Sequence, residues 1–154
     1  MGAESVTVCF TGNPNCGKTT LFNAYTGAGK KTANWPGVTV ALSEGSLMHR
    51  GRMVRLVDTP GIYSLDPYTM EETVTRQCIR DQKADVIIHV ADALLLERSL
   101  FLTMQLLAEG KPLVLALNMM DLVRERGMDI DTEGLSRLLG GIPVIPVSAR
   151  RRTG

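Results

Sequence analysis

Residues 12–19 read GNPNCGKT, two glycines five positions apart followed at once by a lysine and a threonine. The octet stands between an apolar, β-rich run, SVTVCFTG, and a segment, LFNAYTG, in which Leu21, Phe22 and Tyr25 recur at helical spacing for burial. A strand, this loop and a helix from Lys18 to about Thr26 therefore follow in order. The pattern G-x-x-x-x-G-K-[ST] has a physical meaning in that setting. Backbone N–H groups of the loop Gly12, Asn13, Pro14, Asn15, Cys16 and Gly17, all but the N–H-less Pro14 donating, wrap an anion, and the helix N-terminus adds a favourable dipole. Glycine lets the backbone approach phosphate closely. Lys18 reaches the β and γ phosphates, Thr19 offers a hydroxyl to Mg²⁺, and Thr20 completes the first turn. A plain Gly-rich turn would need neither the lysine nor the strand–helix setting.

The rest of the chain alternates in the same way. VTVALSEGSLMHRGRMVRLVDTPG reads as a hairpin turning around His49–Arg52, and KKTANWP before it as an irregular loop. EETVTRQCIRDQ is a helix with acidic residues in its first turn, ADVIIHVAD a buried strand, and ERSLFLTMQLLAEG an amphipathic helix ended by Gly110. KPLVLALNMMD is another buried strand, TEGLSRLLGG a short helix and IPVIPVSAR a last strand with its loop. This alternation predicts an α/β domain, a doubly wound, mostly parallel six-stranded sheet with one antiparallel strand. The 154 residues suit one domain, residues 1–154. The chain stops directly after a strand and its loop, so a fragment lacking the covering helix is expected.

Composition narrows the function classes. A net charge of +1 and 5% aromatic residues argue against a nucleic-acid surface. The three cysteines, Cys9, Cys16 and Cys78, show no C-x-x-C spacing, which disfavours a disulfide framework or a zinc site. His49 and His89 lie far apart and support no iron site; His49 reads as hairpin surface and His89 as core strand. Cys16 sits at a helix N-terminus that would lower a thiol pKa, against a plain small-residue role. The basic run Arg150–Arg152 reads as a solvated tail.

Three further segments fall at strand ends. VDTPG, residues 57–61, offers Asp58 to hold Mg²⁺ through water and the N–H of Gly61 to a γ-phosphate, although Asp-x-Pro-Gly alone is also a common turn. LNMMD, residues 117–121, carries Asn118 and Asp121; a carboxylate at Asp121 accepts from guanine N1–H and its exocyclic amine, a donor pair adenine lacks. VSAR, residues 147–150, puts Ser148 and Ala149 where a backbone N–H meets the guanine carbonyl oxygen.

In this order the four segments resemble the G1, G3, G4 and G5 boxes of small, Ras-like phosphate-loop GTPases. The resemblance implies binding of GTP and GDP with Mg²⁺, mobile switch loops, and a G2 threonine for the Mg²⁺ shell, with Thr39 the first choice and Thr32 the second. GNPNCGKTTLFNAYTG, NWPGVTV, DTPGIYSLDPYT, ADVIIHVADA, LERSLFLTMQLLAEGKPLVLALNMMD and PVIPVSARRRTG together resemble the N-terminal G domain of the ferrous iron transport protein B family, over nearly the whole chain. That likeness implies a switch for Fe²⁺ uptake at the cytoplasmic face of a bacterial inner membrane. A helical regulatory domain and a polytopic membrane domain of the same protein would be its partners, and a homo-oligomer stays open. By likeness to potassium-stimulated relatives, Asn15 would hold K⁺, giving Lys18, Thr39, Gly61 and Asn15 as the catalytic set. Three departures stand out. Ile62 replaces the glutamine that orients water in Ras-like enzymes, implying slow hydrolysis; Met119 replaces the lysine that lies on the purine; and Arg150 replaces the lysine of S-A-K. The rivals are an RNA- or ribosome-associated GTPase and a nucleotide-binding module with negligible turnover.

Overall fold

The computed structural model describes residues 5–27, 31–34, 40–80 and 84–154. Thr39 and Trp35 lie outside the described residues. The strands are β1 (Val6–Gly12), β2 (Lys31–Asn34), β3 (Ala41–His49), β4 (Arg52–Asp58), β5 (Val86–Asp92), β6 (Leu113–Asn118) and β7 (Val144–Pro146). The helices are α1 (Lys18–Thr26), α2 (Met70–Arg80), α3 (Leu96–Ala108), α4 (Met120–Glu125) and α5 (Thr132–Leu138). Among the described residues no helix is long and apolar enough to cross a membrane.

The strands form one sheet in the order β2-β3-β4-β1-β5-β6-β7. β1 pairs in parallel with β4 and β5, and β5–β6 and β6–β7 are parallel too. Only β3 runs against its neighbours. The sheet therefore has seven strands rather than the six expected. The addition is β2, whose Lys31-Thr32-Ala33-Asn34 is too polar to read as a strand and joins the edge through backbone pairing with β3. Thr32, the second choice for the Mg²⁺ shell, lies on this edge strand with its hydroxyl 3.3 Å from that of Ser43. The hairpin is as the sequence indicates. His49 pairs with Arg52, leaving a two-residue loop in which Arg50 and Gly51 both have positive φ, 49° and 76°. That is the turn whose twist matches the flanking strands.

The central strand β1 is buried on both faces after its first residue, as a parallel strand covered by helices must be. On one face Phe10 packs with Phe22 of α1, their rings edge to face at 5.7 Å. Tyr25, expected inside, is instead 51% exposed, resting a tilted ring against Phe10 at the rim of this cluster. On the other face Cys9 meets Cys78 of α2, their sulfurs 3.4 Å apart, and Ile87 packs on Leu102 and Leu106 of α3. Burial and the Cys78 contact push the Cys9 thiol pKa far up. Helix α2 starts at a capping box: Glu72 accepts from the N–H groups of Tyr68 and Thr69, and Thr69 Oγ1 accepts from Glu72 N–H at 3.3 Å. Because β1, β4, β5, β6 and β7 run the same way, Gly12, Asp58, Asp92, Asn118 and Pro146 end on one edge of the sheet. Ligand sites of open α/β sheets form on that edge.

Candidate functional site

The loop between β1 and α1 is closed by backbone conformations that few residues adopt. Asn15 has φ 64° and Gly17 φ 83°. Asparagine tolerates the left-handed region better than most side chains, so position 15 has a conformational reason for its residue besides any ligand. Gly17 is held more tightly. A Cβ there would lie 2.2 Å from Asn118 Nδ2. The loop borders a cavity of about 360 Å³ lined by Asn13 to Thr20 and Gly61.

Lys18 is buried, and its ammonium donates to Asp58 Oδ1 and to the carbonyl of Thr59. Thr19 Oγ1 donates to the other Asp58 oxygen at 3.2 Å. The side chains at 18, 19 and 58 thus converge, although Asp58 stands 40 positions after Lys18 and 39 after Thr19. Thr59, which no motif singles out, pins the end of β4 to β1 by donating both Oγ1 and N–H to the Phe10 carbonyl, at 2.7 and 3.1 Å. The next residues lie against the loop. Ile62 N–H donates to Gly12 O at 2.9 Å, and a Cβ on Gly61 would come within 2.9 Å of Pro14 Cα. Ile62 itself is buried with Leu65 against α3, so its side chain faces core. The following stretch is fastened to α3: Gln105 Oε1 accepts from Leu65 N–H at 2.7 Å, and the Arg98 guanidinium stands 5.3 Å from the Tyr63 ring centre.

Cys16 is buried, and burial raises its thiol pKa, outweighing the lowering by Lys18 and the helix start. The plain small-residue role, favoured for this position over an activated thiol, fits that burial. Among the described residues, the buried side-chain atoms Thr11 Oγ1, Asn13 Oδ1 and His89 Nε2 have no hydrogen-bond partner.

The second half of the site gathers at the ends of β6 and β7. Asn118 is buried and bonded at both ends of its amide: Nδ2 donates to Cys16 O at 3.0 Å, and Oδ1 accepts from Ala149 N–H at 2.9 Å. It therefore ties the β1–α1 loop to the loop after β7. Ser148 N–H donates to Thr153 O at 2.9 Å. The Ser148 and Ala149 N–H groups, one of which is expected to meet a guanine carbonyl, thus both have partners within the protein. Met119 caps α4 with φ 66°, a strained setting of the kind that clusters at functional sites. A cavity of about 150 Å³ lies among Gly17, Thr20, Asn118, Met119, Asp121 and the 148–150 segment, Arg150 included. Asp121 forms one wall of it, and its Oδ2 lies 3.3 Å from Arg151 Nε, whose Nη2 meets Glu125 Oε1 at 2.9 Å. Within the basic run, then, Arg151 is a double ion-pair partner rather than a solvated tail residue; no short-range pattern signals that, because Asp121 is thirty positions away.

A phosphate-loop-type turn on the central strand of a mostly parallel sheet, with strand-end carboxylates and amides on the same edge, defines the Ras-like GTPase fold. The chain belongs to the ferrous iron transport protein B family, whose N-terminal domain model matches residues 6–154. It is 48% identical over 147 residues to an Fe(2+) transporter FeoB of Legionella pneumophila, covering 93% of this chain and 19% of that protein. The chain thus spans about one fifth of the length of such relatives. The cytosolic domain of L. pneumophila FeoB matches with TM-score 0.90 and 46% identity over 97% of this chain and 65% of that one. The cytosolic domain of the T. maritima FeoB iron transporter in a GDP form matches with TM-score 0.94 and 40% identity over 98% and 59%.

Proposed function

We propose that this chain binds GTP and GDP with Mg²⁺ and hydrolyses GTP slowly by in-line attack of water, as the cytoplasmic regulatory switch of a ferrous iron transporter. The observation that carries the reading is the convergence of Lys18 and Thr19 on Asp58 at the mouth of a cavity walled by the β1–α1 loop. The GDP form of the T. maritima relative supports the choice of ligand.

In this reading the loop amides and the Lys18 ammonium hold the phosphate oxygens, and the Gly61 N–H faces the terminal phosphate. The Thr19 hydroxyl and Asp58 carboxylate are hard oxygen donors 3.2 Å apart, the chemistry Mg²⁺ prefers, and Thr39 would complete the set. When bound, Mg²⁺ supplies charge that offsets negative charge on the β and γ phosphate oxygens. Asp121 accepts from the two guanine donors, while Met119 lies along the purine and the 148–150 segment closes the pocket. Asn118 acts through the two loops it joins. Asn15 is exposed at the cavity, and its amide oxygen suits K⁺, which would neutralise charge developing between the β and γ phosphates. Ile62 is buried, so the side chain after Gly61 is not available to orient water; this supports a slow intrinsic rate. The transport role, and the helical and membrane domains as partners, rest on the full-length relatives.

The test is nucleotide affinity and single-turnover phosphate release, GTP against ATP and K⁺ against Na⁺. The expected result is binding confined to guanine nucleotides, with faster release in K⁺. Equal affinity for adenine nucleotides would overturn the site reading. Equal rates in both salts would remove Asn15 from the catalytic set.

A further inference from the structure

Asp121 separates two cavities. The smaller, between Gly17, Asn118 and Ala149, is the proposed base pocket. The larger, about 530 Å³, lies behind it and is lined by Glu125, Pro146, Arg151 and Thr153. Arg151 borders the rear cavity, whereas its neighbour Arg150 borders the base pocket. Arg151 therefore meets Asp121 from among the residues of the larger cavity and is not part of the lining of the proposed base pocket.

We propose that Arg151 is a positioning residue for guanine specificity: clamped between Asp121 and Glu125, it fixes the plane of the carboxylate that reads the base. The inference rests on Asp121 being the guanine acceptor. A carboxylate turns readily about its terminal torsion, which has a broad, two-fold profile. Guanine presents two parallel donors, so both must meet oxygen lone pairs in one plane. The Arg151 guanidinium, its Nε 3.3 Å from Oδ2, pairs by charge with that one oxygen and so biases the carboxylate toward a single orientation. Glu125 holds the other side of the guanidinium at 2.9 Å, which sets its direction.

Two further observations favour orientation over fold stability as the purpose. Arg151 is 59% exposed while Asp121 is 9% exposed, and an ion pair with one solvent-exposed partner contributes little to stability. The clamp also joins the two segments that must keep their spacing around a base. Arg151 belongs to the turn closed by the Ser148–Thr153 bridge, with its own N–H donating to Ser148 Oγ at 3.3 Å, whereas Asp121 and Glu125 belong to α4.

The experiment compares wild type with Arg151→Gln by calorimetric titration with GDP, inosine diphosphate and ADP. Inosine diphosphate lacks the exocyclic amine and so needs one acceptor where guanine needs two. Wild type is measured first: failure to prefer GDP over ADP there would defeat the guanine reading itself, separately from this proposal. With that preference present, Arg151→Gln is expected to weaken GDP roughly five- to tenfold, the scale of one oriented charge-assisted contact. Inosine diphosphate should lose clearly less, and ADP nothing. Arg151→Lys should fall between, because one ammonium cannot span two carboxylates with fixed geometry. Unchanged or tighter GDP binding in Arg151→Gln would overturn the proposal, tighter binding showing a competitor of the base. Equal losses for all three nucleotides would overturn it too, showing a merely structural contact.

Discussion

His89 makes the fold sensitive to mild acid in a way that can be calculated. Its ring is fully buried on β5, and Nδ1 lies 2.9 Å from Thr103 Oγ1 of α3. That hydroxyl also donates to Ser99 O at 3.2 Å, which uses its one hydrogen, so it accepts from Nδ1–H and leaves the lone pair on Nε2. Protonation would place a charge and a second N–H where Nε2 has no protein partner. Burial accordingly pushes the pKa from 6.5 down to about 3. The unfolded chain takes up this proton as the pH falls through 6.5, while the folded chain resists until about 3. The folded state thus holds fewer protons across that window, and stability declines as pH falls through it. At 1.36 kcal/mol per unit, going from pH 7 to pH 5 should cost about 2 kcal/mol. Glu109, held below its usual range by Arg80, loses its contribution only below 4.5, so the upper window isolates His89. The assay is guanidinium unfolding at pH 7, 6 and 5 at constant ionic strength, with His89→Gln as the non-titrating comparison. Wild type should lose about 2 kcal/mol between the end points and the variant only a few tenths. Parallel losses in both proteins, or a His89 ring that titrates near 6 by NMR, would refute the reasoning.

Three other outcomes follow from the site. Gly17→Ala should destabilise the chain by about 2–4 kcal/mol in denaturant unfolding, since it adds left-handed strain and drives a methyl into Asn118 Nδ2, 2.2 Å from the ideal Cβ. Lys18→Met should weaken GTP by at least about 100-fold in titration calorimetry, because it deletes the one buried ammonium at the cavity. Asp121→Asn should lower guanine affinity by about 100-fold and raise affinity for xanthosine diphosphate, whose base offers an acceptor where guanine has the amine; competition binding reads both.

Much of the fold was legible because it follows from local rules. α1 spans Lys18–Thr26, as the spacing of Leu21 and Phe22 implies, and β5 and β6 are apolar runs of strand length. What stayed hidden has physical reasons. β2 is four polar residues held by backbone pairing, which leaves no hydrophobic alternation to read. α4 is only six residues and starts inside the LNMMD motif, at a left-handed Met119, where a turn is the natural reading. Lys18, Thr19 and Asp58 could be placed together by their motifs, and the structure does bring them together. Beyond the base-reading role its motif suggests, the Asn118 amide also meets backbone groups of two loops, contacts 102 and 31 positions away in sequence that no local pattern signals. Gln105, Thr59 and Arg151 lie in quoted segments that assign them no partner, and their contacts emerge only once the chain is folded.

The amide of Asn118 has a kinetic consequence. Through it the turn ahead of α1 and the turn behind β7 are hydrogen-bonded to one and the same side chain. A molecule seated across both cannot be released at one end while the other stays shut, unless that amide first lets go. Dissociation should therefore be a single concerted event, with one rate constant reporting on both ends at once.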